Sequence, residues 1–168
     1  MPTATKVDVP SPLPDTPSSR TLRLMFIEDS ENDVLLLLHH FRKAGYHLSY
    51  CQVTSEEEMR AALRDQRWDL ILCDHNLPGF SARGALRLTQ KLALDVPFII
   101  VSGVMQEDEA IAAMRAGAHD YLSKNKLDRL IPAVERELRE VANRHEKRLA
   151  ELTLRRSEAR LRALTDNI

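Results

Sequence analysis

Five short apolar runs recur along this chain: "LRLMFI" (22–27), "LSYCQV" (48–53), "DLILCD" (69–74), "PFIIVS" (97–102) and "HDYLS" (119–123). Between them lie segments whose apolar residues return at helical spacing. Runs that are continuously apolar, rather than alternating, belong to strands covered on both faces, and the interleaved helices supply the covers. The pattern therefore predicts a five-fold βα repeat: an α/β fold with a doubly wound parallel sheet of five strands.

The helices can be placed from their punctuation. Ser30 caps one that runs to about Ala44 and is closed by Gly45, and Ser55 caps "EEEMRAALRDQ". "ARGALRLTQKLA" follows Phe80, and "EDEAIAAMRAG" ends at Gly117. The last helix opens near Asn125 to Asp128. Its Pro132 falls slightly late for a first turn, which predicts a mild kink or a short irregular lead-in.

In such sheets ligands bind beyond the carboxyl ends of the strands, at the switch point of the topology. Strand one ends in Glu28 and Asp29, strand three in Asp74, and strand four in Ser102 with Gly103, while Lys124 follows strand five. With strands ordered 2-1-3-4-5, the first and third are neighbours, and Glu28, Asp29 and Asp74 converge. Adjacent acids at the end of a buried strand repel each other, so a cation is expected among them. Hard oxygen ligands suit Mg²⁺, which commonly bridges carboxylates to a phosphoryl group. A hydroxyl from Ser102 and an ammonium from Lys124 are the further parts needed to hold phosphoryl oxygens. Asp74 then reads as a nucleophile that forms an acyl phosphate, and the small Gly103 would let the phosphoryl group approach.

Taken singly these residues have plainer readings. Asp29 can serve a helix dipole, Asp74 can form a turn before "LPG", Ser102 can be a loop hydroxyl and Lys124 a solvated cation. Their joint placement at the strand ends favours the functional reading. His75 beside Asp74 raises a metal or proton-shuttle role that the sequence leaves open, and His39 and His40 read as structural or solvated. The main rival is a flavin or nucleotide binder on the same fold. That site needs a glycine- or hydroxyl-rich loop after strand one, but here the loop is "EDSEND", and no GxGxxG or GxxxxGK[ST] occurs.

From Leu22 to about Arg139 the chain resembles the receiver domain of two-component response regulators. The resemblance rests on the acidic pair Glu28 and Asp29, on Asp74 after an apolar strand, on "VSG" with Ser102 and Gly103, on "AGAHDYLSK" with the switch aromatic Tyr121, and on Lys124. It implies a flavodoxin-like fold and phosphorylation of Asp74 by the phosphohistidine of a histidine kinase or phosphotransfer protein. It also implies Mg²⁺ held directly by Asp29 and Asp74, through water by Glu28, and by the main-chain carbonyl of Asn76. Ser102 and Tyr121 would report the phosphoryl group, with the Tyr121 ring turning inward. Two departures are visible: Glu28 stands where Asp is commoner, and Asn125 where Pro usually follows the lysine, so the isomer of that peptide bond is open.

The remaining segments set the context. Residues 1–20 hold five of the eight prolines, with Ser and Thr between them, and are expected to form a disordered leader. Residues 21–140 are the expected receiver. Residues 141–168 continue its last helix as a coiled-coil signalling helix that pairs two chains in parallel, through Leu138, Ala142, His145, Leu149 and Leu152 and then a shifted stripe of Leu154, Leu161, Leu164 and Ile168. The plainer alternative is a single charged helix in solvent. "SEARLRALTDNI" resembles the entry helix of a PAS domain, which predicts a chain cut from a longer protein with a histidine kinase or a cyclic-dinucleotide enzyme as output. A net charge of -1 gives no nucleic-acid footprint, no run is apolar enough to span a membrane, and Cys51 and Cys73 sit in apolar runs as reduced core residues, so a cytoplasmic setting is expected.

Overall fold

The structure is a computed structural model that describes residues 21–104 and 106–167. The leader over residues 1–20 and the seam position Ile168 lie outside the described residues. The elements follow in order as β1 (Thr21–Ile27), α1 (Glu31–Lys43), β2 (His47–Val53), α2 (Glu56–Asp65), β3 (Leu70–Asp74), α3 (Ala82–Lys91), β4 (Phe98–Ser102), α4 (Glu107–Arg115), β5 (Asp120–Ser123), a 3-10 turn (Leu127–Arg129) and α5 (Leu130–Thr165). The five strands form one sheet ordered β2-β1-β3-β4-β5, and all four pairings are parallel.

Continuous apolarity has the expected cause. Every residue of β3 and β4 is buried, because both faces of the central strands are covered. On one face Leu24, Phe26, Leu70, Leu72 and Ile99 pack under Val34, Leu38 and Phe41 of α1 and Leu130 and Val134 of α5. On the other, Met25, Ile27, Ile71, Cys73, Phe98 and Ile100 pack under Met59 of α2 and Ala85, Leu86 and Leu88 of α3. Large side chains buried this fully contribute roughly 1.5–3 kcal/mol each, and they hold the strand ends in register. Burial also pushes the half-buried Cys51 thiol up to about 12 and the fully buried Cys73 thiol higher still.

Serine caps start three helices, with Ser30, Ser55 and Ser81 each accepting from the backbone N–H three residues on. α3 stops two residues before the expected end: the chain turns at Ala93, which has φ 51°. Pro132 becomes the third residue of α5, where no intrahelical partner for an N–H is needed, and the 3-10 turn supplies the irregular lead-in. α4 differs from the other α-helices in burying no residue, and like α5 it lacks a side-chain cap. It lies over the edge of the sheet rather than its centre.

α5 runs unbroken for 36 residues. Glu137 is its last buried residue, Val141 and Arg144 are half-buried, and residues 145–167 are exposed. Burial thus fades from Glu137 to Arg144 within one continuous helix. Where the helix leaves the body, Arg144 donates to Asp95 Oδ1 at 2.8 Å and Arg148 to Oδ2 at 3.1 Å.

Candidate functional site

β1 and β3 are adjacent, so the residues that follow them meet. Ligand oxygens of Glu28, Asp29 and Asp74 all lie within 4.8 Å of one another. Glu28 and Asp74 are buried, at 3% and 8% exposure, whereas Asp29 opens to solvent. Three carboxylates so close repel strongly in a half-buried setting, and one ammonium answers them. Lys124 Nζ lies 2.7 Å from Glu28 Oε2, 2.7 Å from Asp33 Oδ2 and 3.2 Å from Asp74 Oδ1.

The protonation states follow from this packing. Burial alone would lower Lys124, but the hydrogen bonds it donates to Asp33 and Glu28 and the charges of Glu28 and Asp74 outweigh it, and the ammonium is held above its ordinary range. Burial raises Glu28 despite the bonds it accepts from Lys124 and the Ser30 N–H. The donor set consists of hard oxygens with a solvent-facing side at Asp29, and it fits a divalent cation such as Mg²⁺.

Asp33 is the member of this cluster that sequence reasoning missed. It was visible only as one more acid in "EDSEND". Because Ser30 caps α1 and accepts from the Asp33 N–H at 3.3 Å, Asp33 falls in the first helical turn, turned back toward the end of β1. Capping geometry was the signal that could have found it.

The other expected residues are placed less uniformly. Asn76 lies two residues past Asp74 on the exposed loop after β3. Ser102 is fully buried, and its hydroxyl donates to the Val104 carbonyl at 2.7 Å, within its own loop. A Cβ on Gly103 would meet nothing within 4 Å, so the space beside it is open. The Lys124–Asn125 bond is trans, as are all described peptide bonds, and Asn125 donates to the Gly103 carbonyl at 3.2 Å. That bond ties the loops after β4 and β5 together.

The Tyr121 ring is buried, 3% exposed; it packs edge-on to His75 at a centroid distance of 5.7 Å and joins the core beneath α3. His75 in turn places Nε2 3.2 Å from Glu109 Oε2 on α4. His39 is exposed and His40 half-buried on α1, away from the acid cluster.

The parallel five-stranded sheet is a fold that known proteins share. The family model for the response regulator receiver domain matches residues 24–135. The chain belongs to that family. Among its relatives, the transcriptional regulatory protein ZraR of Salmonella typhimurium is 27% identical over 116 residues, covering 68% of this chain and 26% of the relative. The receiver is similar in fold to the receiver domain of the Francisella response regulator 1452, with a TM-score of 0.61 at 20% identity over 71% of this chain and 98% of the other. It is also similar to the beryllofluoride-activated NtrC4 receiver domain dimer, with a TM-score of 0.62 at 19% identity over 71% and 98%. The receiver chain spans less than half the length of the curated relatives it matches. Among the described residues no helix is long and apolar enough to cross a membrane.

Proposed function

We propose that Asp74 is the residue on which this receiver accepts a phosphoryl group, from the phosphohistidine of a histidine kinase or phosphotransfer protein. The observation that carries the reading is the convergence on Asp74 of two further carboxylates within 4.8 Å and of Lys124 at 3.2 Å. A carboxylate oxygen of Asp74 attacks phosphorus; the O–P bond forms, the P–N bond breaks, and the imidazole nitrogen keeps the bonding pair. Glu28, Asp29 and Asp74, with the Asn76 carbonyl, would hold Mg²⁺. When bound, the ion neutralises charge on the carboxylates and on the transferring phosphoryl oxygens. Lys124, released from part of its carboxylate shell, pairs with a phosphoryl oxygen. The Ser102 hydroxyl leaves the Val104 carbonyl for another, and the loop after β4 follows it.

The fold gives the change a route outward. Lys124 lies three residues before the 3-10 turn that leads into α5, so a loop that moves with the phosphoryl group abuts the helix that leaves the domain. Exposed Leu149, Leu152, Leu154, Leu161 and Leu164 along that helix support parallel pairing with a second copy and a coiled coil leading toward a PAS-like segment. An output that is a histidine kinase or a cyclic-dinucleotide enzyme, and a cytoplasmic setting, belong to the same reading. The test is direct. Incubation with a small-molecule phosphodonor and Mg²⁺ should add one phosphoryl group by intact mass, and Asp74→Asn should remove it; persistence of the full adduct in that variant would overturn the assignment.

A further inference from the structure

Buried polar side chains are nearly always hydrogen-bonded. Among the described residues, the buried side-chain atoms without a partner are His75 Nδ1 and Tyr121 OH. Both belong to rings in edge contact, at 5.7 Å and 63°. The two atoms are also complementary. Glu109 Oε2, a carboxylate oxygen that can only accept, lies 3.2 Å from His75 Nε2, a position that suits a ring proton on Nε2. In that tautomer Nδ1 is an acceptor, and the phenol of the ring in edge contact is a donor. A donor and an acceptor have been brought together inside the protein with their bond unmade.

The surroundings give both rings reason to move. His75 follows Asp74 directly, and its backbone N–H donates to the Val101 carbonyl at 3.3 Å, so it rides on the strand end that would carry the phosphoryl group. Glu109 rides on α4, which buries no residue. Beneath that helix a cleft of about 250 Å³ is lined by Leu86, Ala112, Ala113 and Ala116, with His75 and Glu109 in its wall. The cleft leaves room beside α4, and the Glu109 contact joins the imidazole to that helix.

We infer that His75 is a positioning residue of the switch: it accepts the Tyr121 hydroxyl in the phosphorylated state, while Glu109 fixes its tautomer and links it to α4. The inference rests on the reading of Asp74 as phosphoacceptor. It makes the part of Tyr121 in the switch one hydrogen bond between two rings in contact inside the protein.

The full chain with Mg²⁺ and beryllofluoride, a phosphoryl mimic, tests it. His75→Phe and Tyr121→Phe, which keep a ring in place, should each weaken beryllofluoride binding about five-fold, as the loss of one ordinary buried hydrogen bond predicts. The double variant should lose no more than either single one. In the unaltered chain beryllofluoride should shift the His75 Nδ1 resonance further than it does in Tyr121→Phe, where only the charge bound at the neighbouring Asp74 acts. Independent losses that multiply in the double variant, or an Nδ1 shift indifferent to Tyr121→Phe, would overturn the inference alone. No binding of beryllofluoride by the unaltered chain would overturn the phosphoacceptor reading and this inference with it.

Discussion

Lys124 is a cation shared by Glu28, Asp33 and Asp74, and two of these three are the carboxylates that would ligate a metal. An arriving cation must displace it or share with it. Lys124→Met should accordingly tighten Mg²⁺ binding several-fold by calorimetry, since opposite charges at this separation interact by about 1–4 kcal/mol across the range of effective dielectric, and should abolish any structural response to phosphorylation. Asp29→Asn, which removes a ligand, should weaken Mg²⁺ binding more than Asp33→Asn, which removes only a nearby charge; the reverse order would place the ion elsewhere. The strand-end acids were legible in the sequence because each terminates an apolar run. Asp33 was not, because its role depends on how Ser30 turns the chain into α1. The contact between His75 and Tyr121 was not legible either, since it joins residues 46 positions apart through the packing of β3, β4 and β5.

At the scale of elements, the strands were easier to read than the helix ends. β3 and β4 announced themselves by unbroken apolarity. The end of α3 was overrun because "LA" continues a helical pattern, while the chain turns at Ala93 through a positive φ usually reserved for glycine. α5 was legible throughout, having no Gly or Pro after Pro132, and its 36 residues reach about 54 Å. A single helix cannot cover its own leucines. Removing residues 141–168 should leave a monomeric receiver by sedimentation, and Leu149→Glu with Leu152→Glu in the full chain should weaken dimerisation at least ten-fold. A monomeric full chain at high micromolar concentration would remove the coiled coil from the account.

For the molecule as a whole, the attachment of α5 matters as much as its length. The helix begins beside the loop that carries Lys124, crosses the sheet, and is clasped at its exit by Asp95. Hydrogen bonding to Arg144, with the charge of Arg148, holds the Asp95 carboxyl below its usual range. A depressed carboxyl stabilises the fold above its unfolded value near pH 3.9, and that contribution disappears as pH falls through the folded value. Asp95→Asn should therefore cost up to about 1 kcal/mol at pH 7 in urea unfolding, and the difference from the unaltered chain should fade as pH falls through the depressed folded value; a difference undiminished in acid would mean the clasp is not ionic. Beyond the clasp the exposed helix is a lever arm, and Asp95 stands at its fulcrum. From Arg148 to Thr165 it extends about 26 Å, so a tilt of about 5° carries its tip about 2 Å sideways. Displacements too small to disturb the core thus become, at the far end, comparable to the depth of a side-chain contact, and the leverage is set by the distance from the clasp rather than by the size of the event at the acids.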